Sequence, residues 1–365
     1  MSDDSGSLLD GMRDGTWLDK QDFPPLRYHV DGIIPEGLTV LAGAPKVGKS
    51  WFVLGCALAV ASAGPALSRI WCTQRHVFYL ALEDGDRRMQ DRCRKLLDNP
   101  YRPRDAIPGH FTYMTRIVPG QIIPTIAEYL DTYGDLRPLV IVDTLGRVLP
   151  PAFTGETPYS RDYRIMSQLK DLADGWPGAA LLLCHHDRKA VTADFVDSVS
   201  GTNGIAGGAD TVLVLTRDRG SAEGLLQVTG RDVAEGAYAV SFEWGAWTLD
   251  GDSLAEASAA ARTRSATAGL DDRASAIVTH VDDQAGPVTP AAVAGALSLD
   301  GDLAGRYLRR LADAGRIRRV SRGHYTTVRS DRMSETDAKP GDDSDASDAS
   351  DTPLWPEGSN DEAAQ

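Results

Sequence analysis

Leu38-Thr39-Val40-Leu41-Ala42-Gly43-Ala44-Pro45-Lys46-Val47-Gly48-Lys49-Ser50 is the stretch on which the reading of this chain turns. Its last eight residues satisfy the P-loop pattern G-x-x-x-x-G-K-[ST] at every fixed position. The largely apolar run 38–42 predicts a buried strand and 51–63 an apolar helix, so the octet sits between strand and helix as the pattern requires. Gly43 and Gly48 let the backbone turn its N–H groups inward as a nest for phosphate oxygens, with Ala44, Pro45, Lys46 and Val47 forming the loop between them. Lys49 is placed to reach the β- and γ-phosphates and Ser50 to offer its hydroxyl to Mg²⁺. The following helix adds its positive N-terminal end. The expected ligands are ATP and Mg²⁺.

At 365 residues the chain has room for one large core and a small second domain. Its 42% apolar and 25% charged content is that of an ordinary soluble globular protein. The net charge of −14 argues at first against a nucleic-acid partner, but residues 331–365 alone carry −9 and leave only −5 for the rest. The four cysteines show no CxxC or Cys/His ligand spacing, so neither a disulfide framework nor a zinc site is expected, and a cytoplasmic setting is the simple reading. The first 15 residues carry no apolar core of a signal peptide, and the apolar run 52–64 is too short to cross a bilayer, so no membrane partner is expected.

Outward from the P-loop, residues 1–21 read as a loose polar N-terminus and 23–37 as a lead-in that packs on the domain edge. Further strands are predicted at 76–82, 111–115, 139–143 and 179–184, and later at 211–216, 225–229 and 238–242. Helices are predicted at 86–97, 122–133 and 163–173, with a loop at 150–162. Strands alternating with helices predict an α/β fold, a mostly parallel sheet covered on both faces, with an antiparallel edge from the late strands.

In such sheets chemistry gathers at the carboxyl ends of the strands. Asp143, after four apolar residues, fits the carboxylate that holds the Mg²⁺ shell, though an Asp there also suits a turn cap. Glu83 ends the strand after the P-loop helix, where a carboxylate can orient or deprotonate an attacking water; Asp84 is the lesser candidate for that role. His185 or His186, with His185 favoured, could sense the γ-phosphate and pass its state to the polar loop beyond, which carries Arg188 and Lys189 and suits contact with an extended polymer. Arg231, after a late strand, is a candidate arginine finger for a neighbouring subunit, against the plainer reading of a surface arginine paired with Asp232.

Taken together, residues 43–50, Leu80-Ala81-Leu82-Glu83-Asp84, 139–143, Cys184-His185-His186 and Gly230-Arg231-Asp232 resemble the RecA-fold ATPases similar to the plasmid replicative helicase RepA and, more remotely, DnaB. The resemblance covers residues 22–250. It implies a RecA-like P-loop core and a ring, usually a hexamer, that hydrolyses ATP at subunit interfaces and moves single-stranded DNA through its centre. The chain departs from DnaB-like members at Thr229, where they usually have lysine two residues before the finger.

Residues 251–270, rich in Ala, Ser, Thr and Arg, read as a linker that is partly helical. Residues 271–329 read as a small winged helix-turn-helix domain, with helices at 272–281, from 289–290 and at 302–314, then a hairpin around Arg322-Gly323. Thr289 and Pro290 give the second helix its cap and first turn, and Gly315 ends the third. Between 303 and 329 there are eight Arg and one Asp, a phosphate-binding footprint in an acidic protein. Arg306, Arg309, Arg310, Arg318, Arg319 and Arg322 are its candidate DNA contacts, duplex DNA included, while a protein-binding winged helix is the alternative. Residues 330–365 read as a disordered acidic tail that solubilises the ring, competes with DNA, or docks a replication partner through Leu354-Trp355-Pro356. The function class expected is a DNA motor, a replicative helicase of a phage, plasmid or integrative element; the alternative is an ATP-controlled DNA-binding regulator or initiator that unwinds nothing.

Overall fold

The computed structural model describes residues 9, 11–98, 106–118, 120–147, 149–150, 152–186, 205, 207–267 and 270–328. A short helix α1 (Gly15–Asp19), capped by the Asp14 side chain on the Trp17 N–H, stands in the N-terminal stretch expected to be loose. The lead-in forms the hairpin β1 (Tyr28–Val30) and β2 (Ile34–Pro35), with Ile33 and Ile34 fully buried. Next come β3 (Gly37–Gly43), α2 (Lys49–Ser62), the small hairpin β4 (Pro65–Ala66) and β5 (Ile70–Trp71), and β6 (Val77–Ala81). They are followed by α3 (Asp86–Leu97), β7 (Phe111–Met114), α4 (Ile122–Tyr133), β8 (Leu139–Asp143), α5 (Pro158–Asp174) and β9 (Ala180–His186). Strands β10 (Thr211–Arg217), β11 (Glu223–Gly230), β12 (Gly236–Glu243) and β13 (Ala246–Leu249) complete the sheet.

The sheet has nine strands in the order β13-β12-β11-β10-β3-β9-β8-β6-β7. From β10 to β7 the pairings are parallel, and β10 through β13 form an antiparallel meander at the other side. Alternation along each strand divides the core in two. Leu41, Tyr79, Ile141 and Leu182 pack with α2 and α3, while Val40, Leu80, Val142 and Leu181 pack with α4 and α5. Runs such as Leu139-Val140-Ile141-Val142 are apolar at every position because both faces are covered. This is the α/β class with a mostly parallel sheet between helices that the sequence predicts.

Three expectations shift. Helix α5 begins at Pro158, inside the stretch read as a loop, because Thr157 caps it through the Ser160 N–H and proline suits its first turn. Strand β9 runs on to His186, so both histidines are strand residues. The stretch read as a partly helical linker is helical over most of its length, as α6 (Leu254–Thr267), and is docked on the sheet by buried Ala257 and Ala261. Arg264 of α6 donates to the carbonyls of Gly224 and Val240 at 3.2 and 3.3 Å and pairs with Asp250.

Beyond α6 lie α7 (Asp272–Asp282), α8 (Pro290–Leu297), α9 (Gly301–Asp313) and the hairpin β14 (Arg318–Ser321) and β15 (His324–Thr326). A bridge joins Val288 to Tyr325. Ile277, Val278, Val293, Leu308, Leu311 and Ile317 form a core of their own there.

Candidate functional site

β3 delivers the chain into the loop 43–50 at the carboxyl edge of the sheet. Gly48 takes a left-handed φ of 114° that suits only glycine, and α2 begins with no side chain capping its first N–H groups. Gly43 has no room for a side chain, since a Cβ there would lie 2.5 Å from the Leu215 carbonyl oxygen. Lys49 is buried and folds over the loop, donating to the carbonyl oxygens of Gly43 at 2.6 Å and Ala44 at 3.2 Å. Ser50 is partly buried one residue on. Two residues from the meander brace the loop from outside. Trp247 Nε1 donates to the Gly48 carbonyl at 3.1 Å, and Arg217 Nε to the Val47 carbonyl at 3.3 Å. Arg217 itself lies over the Phe242 ring at 4.6 Å.

The register aligns the other strand ends with the loop. His185 and His186 stand opposite Ala42 and Gly43, and Asp143 stands opposite Ala81, two residues before Glu83. Asp143 is 5% exposed and its Oδ2 accepts a 2.6 Å hydrogen bond from the Tyr79 hydroxyl. Thr144 is buried beside it and donates to the Cys184 carbonyl at 2.8 Å.

The Cys184 thiol reports how these groups converge. Burial first, then the nearby Asp143 carboxylate, push it well above the ordinary thiol value, while Lys49 pulls the other way and Glu83 adds a smaller upward push. Lys49, Asp143 and Glu83 therefore all lie within electrostatic reach of one buried atom. Burial and the Asp143 charge likewise raise the Tyr79 hydroxyl well above its ordinary value, so it stays a donor.

Glu83 and Asp84 separate clearly. The Asp84 side chain is buried and held by Arg92 and, at 3.0 Å, by Arg88 of α3, which fixes it as the anchor of that helix. Glu83 is exposed at the edge that the loop 43–50 occupies. His185 has the strand parity of Leu181 and Leu183, which face α4 and α5, whereas Cys184 has that of the Asp143 side.

Arg231 is exposed and lies at the opposite edge. Gly230 pairs with Thr211, which pairs with Thr39 at the beginning of β3. Gly43 is four residues farther along β3, about 13 Å at roughly 3.3 Å per residue. No ion pair joins Arg231 to Asp232 among the described residues. In the C-terminal unit Arg306, Arg309, Arg310, Arg318, Arg319 and Arg322 are all exposed. Arg310 pairs with Asp271 at 3.3 Å and covers the Tyr307 ring. Arg188, Lys189 and the acidic tail with Leu354-Trp355-Pro356 lie outside the described residues.

The sequence reading missed Tyr79, Thr144, Arg217 and Trp247. An aromatic hydroxyl two residues before the end of an apolar strand is the signal that Tyr79 offered. Trp247 and Arg217 come near the loop only through the sheet order.

The loop, Ser50 and Asp143 fit a nucleotide phosphate with Mg²⁺. The glycine-shaped cradle, the uncapped α2 terminus, buried Lys49 and the buried Asp143 carboxylate are the donor set such a group needs.

A family model described as an AAA domain matches residues 11–191. That stretch includes the loop, Glu83, Asp143 and His185, and stops short of Arg231. No curated protein matches the chain. Among solved structures, one described as an ATPase domain aligns with a TM-score of 0.46 at 14% identity, covering 59% of this chain and 85% of that one. "The Structure Of A DnaB-Like Replicative Helicase And Its Interactions With Primase" aligns with a TM-score of 0.43 at 15% identity, covering 60% of this chain and 58% of that one.

Proposed function

We propose that the chain is an ATP-hydrolysing, RepA-like motor on DNA, a ring-forming replicative helicase of a phage, plasmid or integrative element that works in the cytoplasm. The observation that carries this reading is the strand register, which brings the loop 43–50, Asp143 and Glu83 to one edge of one sheet. The backbone N–H groups of the loop 43–50, Pro45 excepted, and the Lys49 side chain would hold the triphosphate, and Ser50 and Asp143 would hold Mg²⁺, which would offset charge on the phosphoryl oxygens. Glu83 orients the attacking water and accepts its proton as the water oxygen bonds to the γ-phosphorus and the bond to the bridging oxygen breaks, leaving ADP and phosphate. His185 senses the γ-phosphate and passes its state to the loop with Arg188 and Lys189, which contacts single-stranded DNA.

Arg231 is too far along the sheet to complete its own site, so in this reading it serves a neighbouring copy in a hexamer. The C-terminal unit acts as a winged helix whose exposed arginines meet duplex DNA. That arginine-rich face also favours a second reading, a regulator that binds a duplex site under ATP control. The test is strand displacement measured beside the stimulation of ATPase by single-stranded DNA. A motor shows both and forms rings with nucleotide. Tight duplex-site binding that survives Glu83→Gln, with slow and unstimulated turnover, selects the regulator.

A further inference from the structure

The amino edge of the parallel sheet, the end away from the loop 43–50, carries a second group of cations. Arg75 stands two residues before β6 and Arg137 two residues before β8, and these strands run parallel with Val77 opposite Leu139. The register sets the two arginines side by side. Gly178 holds the equivalent place before β9, since Ala180 is opposite Leu139. Its carbonyl accepts a hydrogen bond from His29 Nε2 at 3.1 Å, and the Arg137 Cδ lies 2.8 Å from where a Cβ on Gly178 would be. Arg27 enters from the lead-in, one residue before β1.

The nearby carboxylate, Glu36, offsets this group only in part. Glu36 is tied to the Arg27 backbone, accepting from its N–H at 2.9 Å, and among the described residues it makes no ion pair with Arg27, Arg75 or Arg137. Arg75 Nε and His29 Nδ1 are buried without a hydrogen-bond partner, and His29 is 3% exposed. Arg137 closes the 3-10 turn Gly134–Leu136 in a left-handed conformation, its N–H donating to the Gly134 carbonyl at 2.8 Å, which fixes its backbone at this edge. Burial, then the charges of Arg137 and Arg27, pull the Arg75 guanidinium below its ordinary value, with Glu36 opposing. The three cations thus repel one another around an unfilled donor.

We propose that this edge is a binding site for a phosphate-type anion, with Arg27, Arg75 and Arg137 as its donors. Guanidinium forks match the oxygens of phosphate in spacing and charge, and an anion among them removes the mutual repulsion while satisfying the orphaned Arg75 Nε. The site lies at the other end of the strands from the nucleotide loop and does not depend on the function proposed above. The ligand is a free phosphate group or a phosphate of a nucleic-acid strand.

The test is calorimetric titration of inorganic phosphate into the full chain carrying Lys49→Ala, which weakens the nucleotide loop. Saturable binding persists in that background and weakens about tenfold or more when Arg75→Gln or Arg137→Gln is added, the loss of a charge-assisted donor. Melting without phosphate supplies the second readout. Neutralising one member of a repelling group leaves the midpoint unchanged or higher. If Arg137→Gln lowered the midpoint and left phosphate affinity unchanged, the arginine would be packing only and the proposal would fall. If Lys49→Ala alone removed all phosphate binding, the proposal would fall while the nucleotide reading stood. Binding of a single-stranded oligonucleotide by the Arg137→Gln chain then separates the two sources. A salt slope lower by about one assigns the site to strand phosphates, and an unchanged slope assigns it to free phosphate.

Discussion

Replacing Tyr79 by phenylalanine removes one oxygen atom and, with it, the donor that faces Asp143. The ring is fully buried and its hydroxyl lies 2.6 Å from Asp143 Oδ2, which is itself 5% exposed. Solvent cannot supply the missing donor to a carboxylate placed that deeply. A hydrogen bond to a charged group contributes about 1.5–3 kcal/mol, and the ring's packing is kept, so that range is the expected loss of stability. In a domain of this size each kcal/mol moves the melting midpoint by about 2–4 °C, which gives a fall of about 3–12 °C. The same bond fixes the direction of the carboxylate expected to hold Mg²⁺, and loss of such a supporting bond costs about 10–100-fold in metal affinity. Thermal melting and an ATPase titration against Mg²⁺ read the two effects separately. A Tyr79→Phe chain that melts with its parent and needs no more Mg²⁺ refutes the reasoning outright. A lowered midpoint with an unchanged Mg²⁺ requirement leaves Tyr79 as a support of the buried carboxylate and removes its part in orienting the metal.

Glu83→Gln is expected to keep nucleotide binding and lower turnover by about 10²–10⁴-fold, as for loss of a general base, measured by ATPase beside equilibrium binding of ATP. Asp84→Asn is expected to act on the melting midpoint instead, because Asp84 anchors Arg88 and buried Arg92 of α3; the opposite pattern would exchange the two roles. Arg231→Ala subunits are expected to be inactive alone and to regain ATPase when mixed with Lys49→Ala subunits, and mixing without recovery removes the support for action on a neighbour. His29 sets a pH dependence. Burial, then Arg75, lower its pKa from 6.5 to about 3, against a hydrogen bond to Gly178 that raises it. The unfolded chain takes up the proton first, so the stability is present above pH 6.5 and is lost as pH falls toward 3, by about 2 kcal/mol at pH 5. Melting midpoints of a His29→Gln chain should be flatter over that window, and an equally steep profile would exclude His29 as its source.

The parts legible in sequence are those in which one residue type answers one local demand. The loop 43–50 is written in its glycines and lysine, and the run Leu139–Asp143 is apolar because both faces are covered. Helix α6 was legible only as a partly helical linker, and its docking was not legible: its Ala, Ser, Thr and Arg run has no apolar period, and two buried alanines with one arginine reaching back to strand carbonyls suffice to dock it. Trp247 was not legible either, because it follows Gly48 by 199 positions and meets it only where β13 curls back beside α2. Glu83 could be preferred to Asp84 in sequence, but the separate job of Asp84 could not be read there, for a similar reason. Two adjacent carboxylates look alike until α3 places Arg88 and Arg92 on one of them.

The sheet carries its charged groups on two opposite edges, and this bears on assembly. The carboxyl edge holds the phosphate cradle, Asp143 and Glu83. The amino edge holds Arg231 beside β10 and, across the sheet, Arg75 and Arg137. Strand length keeps the edges about 13 Å apart, beyond the reach of an arginine side chain, so one copy cannot bring Arg231 to its own loop. A site that uses both edges needs two copies stacked carboxyl edge to amino edge. Stacked head to tail, that contact is heterologous, and repeated with a fixed rotation it closes into a ring or runs on as a filament. Arg231→Ala mixed with Lys49→Ala therefore tests more than one residue's role. Recovery requires that amino edge to meet carboxyl edge, and an isologous dimer burying one edge against itself could not show it.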